Sequence, residues 1–207
     1  MILAPAEAFQ CLRSSVLLPG LWALCAENQR IHHRVHRGHR TSMMSATFTL
    51  RNYEPHDFAA IHRLDQACFP SGISYSKTTL KYFLSLRSAD CIVAIENDRI
   101  AAFILTEENP PLAHIITLDV AEAIRRRGVG TLLLQESERN LILRGVRHVL
   151  LETAIENSAA VAFWQRHGYR IEAVLKRYYL GRLDAYEMRK ILPKTNQTSA
   201  TPSGGSH

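Results

Sequence analysis

The chain has 207 residues, 46% hydrophobic and 21% charged, with a formal net charge of +6. These are globular proportions, and the length suits one domain with tails, which excludes a wholly disordered or collagen-like chain. No run reaches the ~18 consecutive apolar residues of a membrane-spanning helix. The four cysteines (Cys11, Cys25, Cys68, Cys91) form no CxxC pair, which argues against a disulfide scaffold or zinc ribbon and fits a reducing, cytoplasmic setting.

Residues 1–44 carry five arginines (Arg13, Arg30, Arg34, Arg37, Arg40) against Glu7 and Glu27, without a sustained hydrophobic period. They are expected to form a disordered basic extension. The apolar stretch 16–26 is a poor secretory core, because Glu7 precedes it, Pro19-Gly20 interrupts it and no small-x-small cleavage site follows. Residues 29–40 mix four histidines with four arginines, and the adjacent cations disfavour a divalent metal. Met43-Met44 stands just before the first strand, where translation could also start. The domain proper, 45–193, has 19 basic and 17 acidic side chains, so the net charge points to no specific nucleic acid and no membrane surface.

Within that domain residues 46–53 alternate as a strand. A helix follows from Pro55 to about Cys68, with Phe58, Ile61, Leu64 and Ala67 at helical spacing. Phe69-Pro70-Ser71-Gly72 is a loop, and Ser76 can cap a second helix to about Leu86. Residues 91–95 and 100–106 make a hairpin around Asn97-Asp98-Arg99. After the break at Asn109-Pro110-Pro111 comes a strand, 113–120, then a long helix from Gly128 ended by Gly145. Strand 147–153, helix 158–167 and strands 169–176 and 185–191 close the domain. Residues 194–207 are a polar, disordered tail. The order implies an α/β fold, a mixed sheet of about seven strands with helices on both faces.

The most informative segment is Leu118-Asp119-Val120 followed by Arg125-Arg126-Arg127-Gly128-Val129-Gly130-Thr131. An apolar strand ends, a basic loop follows, and two glycines open a helix. Free N–H groups there point at whatever the backbone approaches, the helix dipole favours an anion, and arginines add charge-assisted bonds. The chemistry suits a pyrophosphate. It is not a Walker loop, because no Gly-Lys-Ser/Thr follows, nor a dinucleotide GxGxxG, because the third glycine is missing.

The spacing Arg125-x-x-Gly128-x-Gly130 after this strand resembles the acetyl-CoA signature of the GNAT N-acetyltransferase superfamily. A second block, from Leu151-Glu152 through Asn157 and a short helix to Gly168-Tyr169, resembles the motif that follows it in that family. The resemblance covers about 46–192. It implies a sheet splayed between its fourth and fifth strands, with acetyl-CoA as cosubstrate and no metal. The amides of residues 125–131 would hold the pyrophosphate, and Leu118, Asp119 and Val120 would run beside the pantetheine arm.

Cys68-Phe69-Pro70, Tyr178-Tyr179 and Asp184-Ala185-Tyr186 resemble the corresponding segments of protein N-terminal and ribosomal-protein-alanine acetyltransferases. The resemblance implies that Phe69 and Pro70 line the pocket for the first substrate residue and that Tyr178 and Tyr179 bond the peptide. The acceptor would be a protein or peptide N-terminus, with a ribosomal protein among the candidates, and the enzyme a monomer or weak dimer. A small-molecule amine, or acetyl-CoA binding with little turnover, are the alternatives.

Acetyl transfer needs a base for the amine and donors for the developing oxyanion. Glu152 ends the apolar run Val149-Leu150-Leu151, where burial is expected to raise its carboxyl, and it falls where the family places a glutamate base. His114 is the second candidate. Asn157 would bond the pantetheine arm or cap the next helix. Trp164 stands where many members carry a tyrosine that protonates the leaving thiolate, and an indole N–H cannot do so. The thiolate then leaves unassisted, or Tyr178 or Tyr179 supplies the proton.

Overall fold

The computed structural model describes residues 48–69 and 71–194. The basic extension, Met43-Met44, Pro70 and the tail from residue 195 lie outside the described residues. Strand β1 is Thr49–Asn52. A short 3-10 turn, Pro55–Asp57, leads into α1, Phe58–Cys68, and α2 is Lys77–Ser85. Then come β2, Ala89–Glu96; β3, Arg99–Asn109; and β4, Leu112–Val120. Helix α3 is Val129–Leu143, β5 is His148–Ala154, α4 is Ser158–Arg166, β6 is Arg170–Tyr179 and β7 is Leu183–Ile191.

Local chemistry explains these boundaries. Asn97 and Asp98 take left-handed φ of 48° and 59° between β2 and β3, which suits a tight hairpin turn. The Ser76 side chain accepts the Thr79 N–H at 3.1 Å and starts α2. Asn157 does the same for α4, its Oδ1 accepting the Ala160 N–H at 3.1 Å. The element order agrees with the sequence expectation. Two strands run longer than expected: β3 continues to Asn109 on its pairing with β4, and β6 reaches Tyr179, because pairing resumes at Tyr179↔Leu183 after an irregular stretch.

The strands form one seven-stranded sheet in the order β1-β2-β3-β4-β5-β7-β6. All neighbours are antiparallel except β4 and β5, whose parallel pairing covers only Leu112↔His148, Ala113↔Val149 and His114↔Leu150. Beyond His114 the two strands part, as the splayed fold requires. One face packs Ile115, Leu133, Leu134, Leu141, Leu151, Trp164, Tyr169 and Met188 into the main core. The other face packs Ile61, Leu64, Leu80 and Phe83 of α1 and α2 over β2 and β3.

A bulge in β4 matters for the site. Leu105 pairs with Thr117 and Thr106 with Ile115, so Ile116 is an extra residue. Parity switches there. Ala113 and Ile115 face the main core before it, and Leu118 and Val120 pack on that core after it. Thr117 and Asp119 are turned to the opposite face, where both are buried.

Candidate active site

The fork between β4 and β5 brings together residues far apart in the chain. His114 ends the β4–β5 pairing opposite Leu150, and Glu152 stands two residues further along β5, both on the face opposite the main core. His114 Nε2 and Glu152 Oε2 are 2.8 Å apart, with side chains 14% and 5% exposed. The Tyr178 hydroxyl donates to the same Oε2 at 3.2 Å, and the Tyr179 hydroxyl donates to the Glu152 backbone carbonyl at 3.3 Å. The two tyrosine rings meet edge to face at 4.9 Å. Glu152 Oε1 is buried without a hydrogen-bond partner among the described residues.

Electrostatics corrects one expectation. Burial does push the Glu152 carboxyl up, but the His114 charge and its hydrogen bond, with the Tyr178 bond, outweigh burial, and the carboxyl lies below its usual range. Burial disfavours charge on His114 as well, yet the Glu152 carboxylate and the further carboxylates Glu107 and Glu187 hold the imidazole above its ordinary value. Glu152 and His114 therefore titrate as a pair rather than as a lone raised carboxyl. Burial, with Glu152 nearby, pushes the Tyr178 and Tyr179 phenols far up, so both are neutral hydrogen-bond donors.

Tyr75, on the loop before α2, joins the site with no motif to announce it. Its hydroxyl donates at 3.2 Å to the carbonyl of Ile116, the bulged residue, and its N–H donates at 2.8 Å to the buried Asp65. Phe69 is half-buried at the end of α1. Gly72 brings this loop against the turn between β6 and β7. A Cβ there would lie 2.9 Å from Leu180 Cδ2, and its φ of +90° favours glycine.

At the other end of open β4 lies the glycine loop. Gly128 has φ +86° with nothing near the place of a Cβ, and it caps α3, whose first residue Val129 is buried. A Cβ on Gly130 would touch Phe163 and Val120 at ordinary contact distance. The Thr131 hydroxyl lies 3.0 Å from His167 Nε2. The three arginines are not equivalent. Arg125 Nε donates to the Val120 carbonyl at 3.0 Å, and Arg127 is paired with Glu96 and lies over the Phe48 ring. Arg126 is exposed, at φ +66°.

Two other candidates are placed apart from the open edge. The Asp119 side chain is 1% exposed, and its Oδ1 accepts the Thr117 hydroxyl at 2.5 Å. Burial pushes its carboxyl up to about 8. On the β5 side the Asp119 backbone has no strand partner among the described residues. Trp164 is 7% exposed and packs edge-on to Phe163 and Tyr169 in the main core. Among the described residues no group of three or more His, Cys, Asp or Glu is arranged to hold a metal ion, and no helix is long and apolar enough to cross a membrane.

A splayed sheet, an open strand edge ending in a glycine-capped helix and an acid–base pair at the fork define an acyltransferase of the acetyl-CoA type. Residues 58–169, more than half of the chain, match the acetyltransferase (GNAT) family, and the chain belongs to it. It is an acetyl-CoA-dependent N-acetyltransferase. N-alpha-acetyltransferase 30 of Schizosaccharomyces pombe is 31% identical over 117 residues, covering 54% of this chain and 78% of the relative. The ribosomal protein bS18-alanine N-acetyltransferase of Salmonella typhimurium is 32% identical over 83 residues, 40% of this chain and 56% of the relative. In fold, the chain resembles the ribosomal-protein-S18-alanine N-acetyltransferase from Escherichia coli, with TM-score 0.66, 24% identity, and 73% and 98% of the two chains covered.

Proposed function

We propose that this enzyme transfers the acetyl group of acetyl-CoA to the N-terminal α-amine of a protein, in the manner of the ribosomal-protein-alanine acetyltransferases. The observation that carries this is the buried Glu152 carboxylate, held by His114 and Tyr178 at the point where β4 and β5 part. An α-amine has a pKa of about 8 and is largely protonated at neutral pH. The His114–Glu152 pair takes a proton from it. The amine nitrogen then bonds the acetyl carbon as the C–S bond breaks, and CoA leaves as a thiolate that afterwards takes up the second nitrogen proton to become the thiol, so one proton per turnover is released.

In this mechanism Tyr178 and Tyr179 are neutral donors that fix Glu152 and bond the incoming peptide, with Tyr179 the third catalytic candidate. Phe69, half-buried at the end of α1, lines the first-residue pocket. Residues 118–120 lie along the pantetheine arm, and the amides of 128–131 take the pyrophosphate, which the glycine at φ +86° and the open space beside it favour. Arg126 is the arginine free to meet phosphate, since Arg125 and Arg127 are engaged within the protein. Asn157 serves first as a cap, which leaves its amide nitrogen for the arm. Buried Trp164 supplies no acid, and the thiolate departs unassisted. The catalytic domain is 45–193, and free Cys68 and Cys91 suit a reducing cytoplasm.

The full chain, acetyl-CoA and a library of peptides with varied first residues test the proposal, with free thiol and peptide mass followed together. One acetyl on the peptide α-amine is the expected product. Transfer to polyamines or amino acids but to no peptide would overturn it in favour of a small-amine acetyltransferase.

A further inference from the structure

Glu187 of β7 stands directly opposite Glu152 of β5 in the antiparallel register. Residues so paired share a face, with Cβ atoms about 5 Å apart, and two like charges in that position are destabilising. On the same face the row extends to His114, whose register partner on β3 is Glu107. Glu187 is only half-buried, whereas the Glu152 side chain is 5% exposed. The row thus leads from an enclosed carboxylate to the edge of solvent.

We propose that Glu187 is a third member of the proton-handling unit: it shares with Glu152 and His114 the proton taken from the acceptor ammonium and hands it to solvent. This rests on the proposed reaction, which releases one proton per turnover from a site that water reaches poorly. One Glu152 oxygen, Oε2, is occupied by His114 and Tyr178, while buried Oε1 has no partner among the described residues and is free to exchange a proton.

The surroundings agree. Glu187 faces Glu152 on β5, His114 on β4, Glu172 on β6 and Arg189 on its own strand. Burial first, then the Glu152 charge, raises its carboxyl, while Arg189 opposes the rise. The two carboxyls lie on opposite sides of their ordinary values for different reasons: Glu187 is raised by burial and by the facing Glu152 charge, and Glu152 is lowered, against burial, by His114 and Tyr178. Because Glu187 acts through Glu152, it is a positioning residue, and a drop in rate alone cannot establish its role.

Two measurements on the full-length protein test this. In carbon-detected NMR titration of the enzyme alone, Glu152→Gln should lower the Glu187 pKa by about half a unit or more, because a neighbouring negative charge is gone. An unmoved Glu187 would overturn the proposal whatever the enzyme acetylates. In steady-state assays Glu187→Gln should lower the kcat plateau about tenfold, with the acid limb of the pH profile moved down and the KM for acetyl-CoA unchanged. Glu187→Asp, or added imidazole, should restore part of the rate. A profile within twofold of wild type, or a loss that neither Asp nor imidazole relieves, would overturn it. If wild type acetylates no peptide but does acetylate a small amine, the proposed acceptor fails while the Glu187 assays remain valid on that amine.

Discussion

The glycine loop and the fork mark the two ends of the open stretch of β4, and they are made in opposite ways. The loop is a contiguous run, residues 125–131, whose character comes from the backbone: a left-handed glycine and a helix start with no side-chain cap among the described residues. The fork joins His114 to Glu152, 38 residues later, and to Tyr178, a further 26 on. Its character comes from side chains and strand register. A one-residue slip of β5 would turn Glu152 into the main core and dismantle the pair. The loop should therefore be sensitive mainly to backbone conformation, and the fork both to the identity of its side chains and to strand register.

Substitutions should divide along that line. The largest effect is expected at the fork. Glu152→Gln keeps the shape and removes the carboxylate of the proposed proton-accepting pair, and kcat should fall by about 10²-fold or more, with acetyl-CoA binding preserved. A fall under threefold in steady-state assays would remove Glu152 from the role. At the loop, Gly128→Val forces a β-branched residue into left-handed space at a cost of about 1–3 kcal/mol, and calorimetry should show acetyl-CoA binding weakened about tenfold with kcat nearly intact.

Within the loop, Arg126→Ala should weaken acetyl-CoA about fivefold, the loss of one charge-assisted bond. Arg127→Ala should change affinity less than twofold, because Glu96 already holds that guanidinium. Equal effects at both positions would show that the ion pair opens on binding. Asn157→Ala should lower stability by about 1 kcal/mol in thermal melts through loss of the α4 cap.

The smallest expected effect is a pH dependence of stability at the fork. The folded state holds His114 above its ordinary value, so its contribution is full below the unfolded imidazole pKa and fades as pH rises through the raised one. Glu152, held low, contributes fully above the unfolded carboxyl pKa and fades as pH falls through its lowered value. Denaturation midpoints should therefore be highest between those two limits, and His114→Asn should flatten the alkaline decline.

Much of this protein is legible in the order of its residues. Hydrophobic period, Ser76 and Asn157 as caps, and the turn at Asn97-Asp98 announce local conformations that nearby residues dictate, and the element order follows. Glu152 and His114 stand out as residues with useful chemistry. Their partnership does not, because nothing near position 114 in the chain refers to position 152. Burial alone predicts a raised Glu152 carboxyl, and the imidazole at 2.8 Å, with the Tyr178 hydroxyl, reverses the sign. The tyrosine pair is visible as a motif, but its place at the end of β6 depends on pairing with Leu183. Tyr75 and Glu187 carry no motif at all.

By itself the sequence determined what is local: which segments become strands and helices, where glycine permits a left-handed turn, and a basic helix start suited to phosphate. The tertiary structure alone decided what depends on parity and register. The extra residue Ile116 switches β4 from one face to the other, which buries the Asp119 carboxyl rather than lining an open edge with it. The early end of the β4–β5 pairing leaves a strand edge free for a ligand, and sheet order sets Glu187 beside Glu152. Strand pairing is a long-range contact in which the side-chain period is two residues, so its outcome is fixed only when the whole sheet has closed.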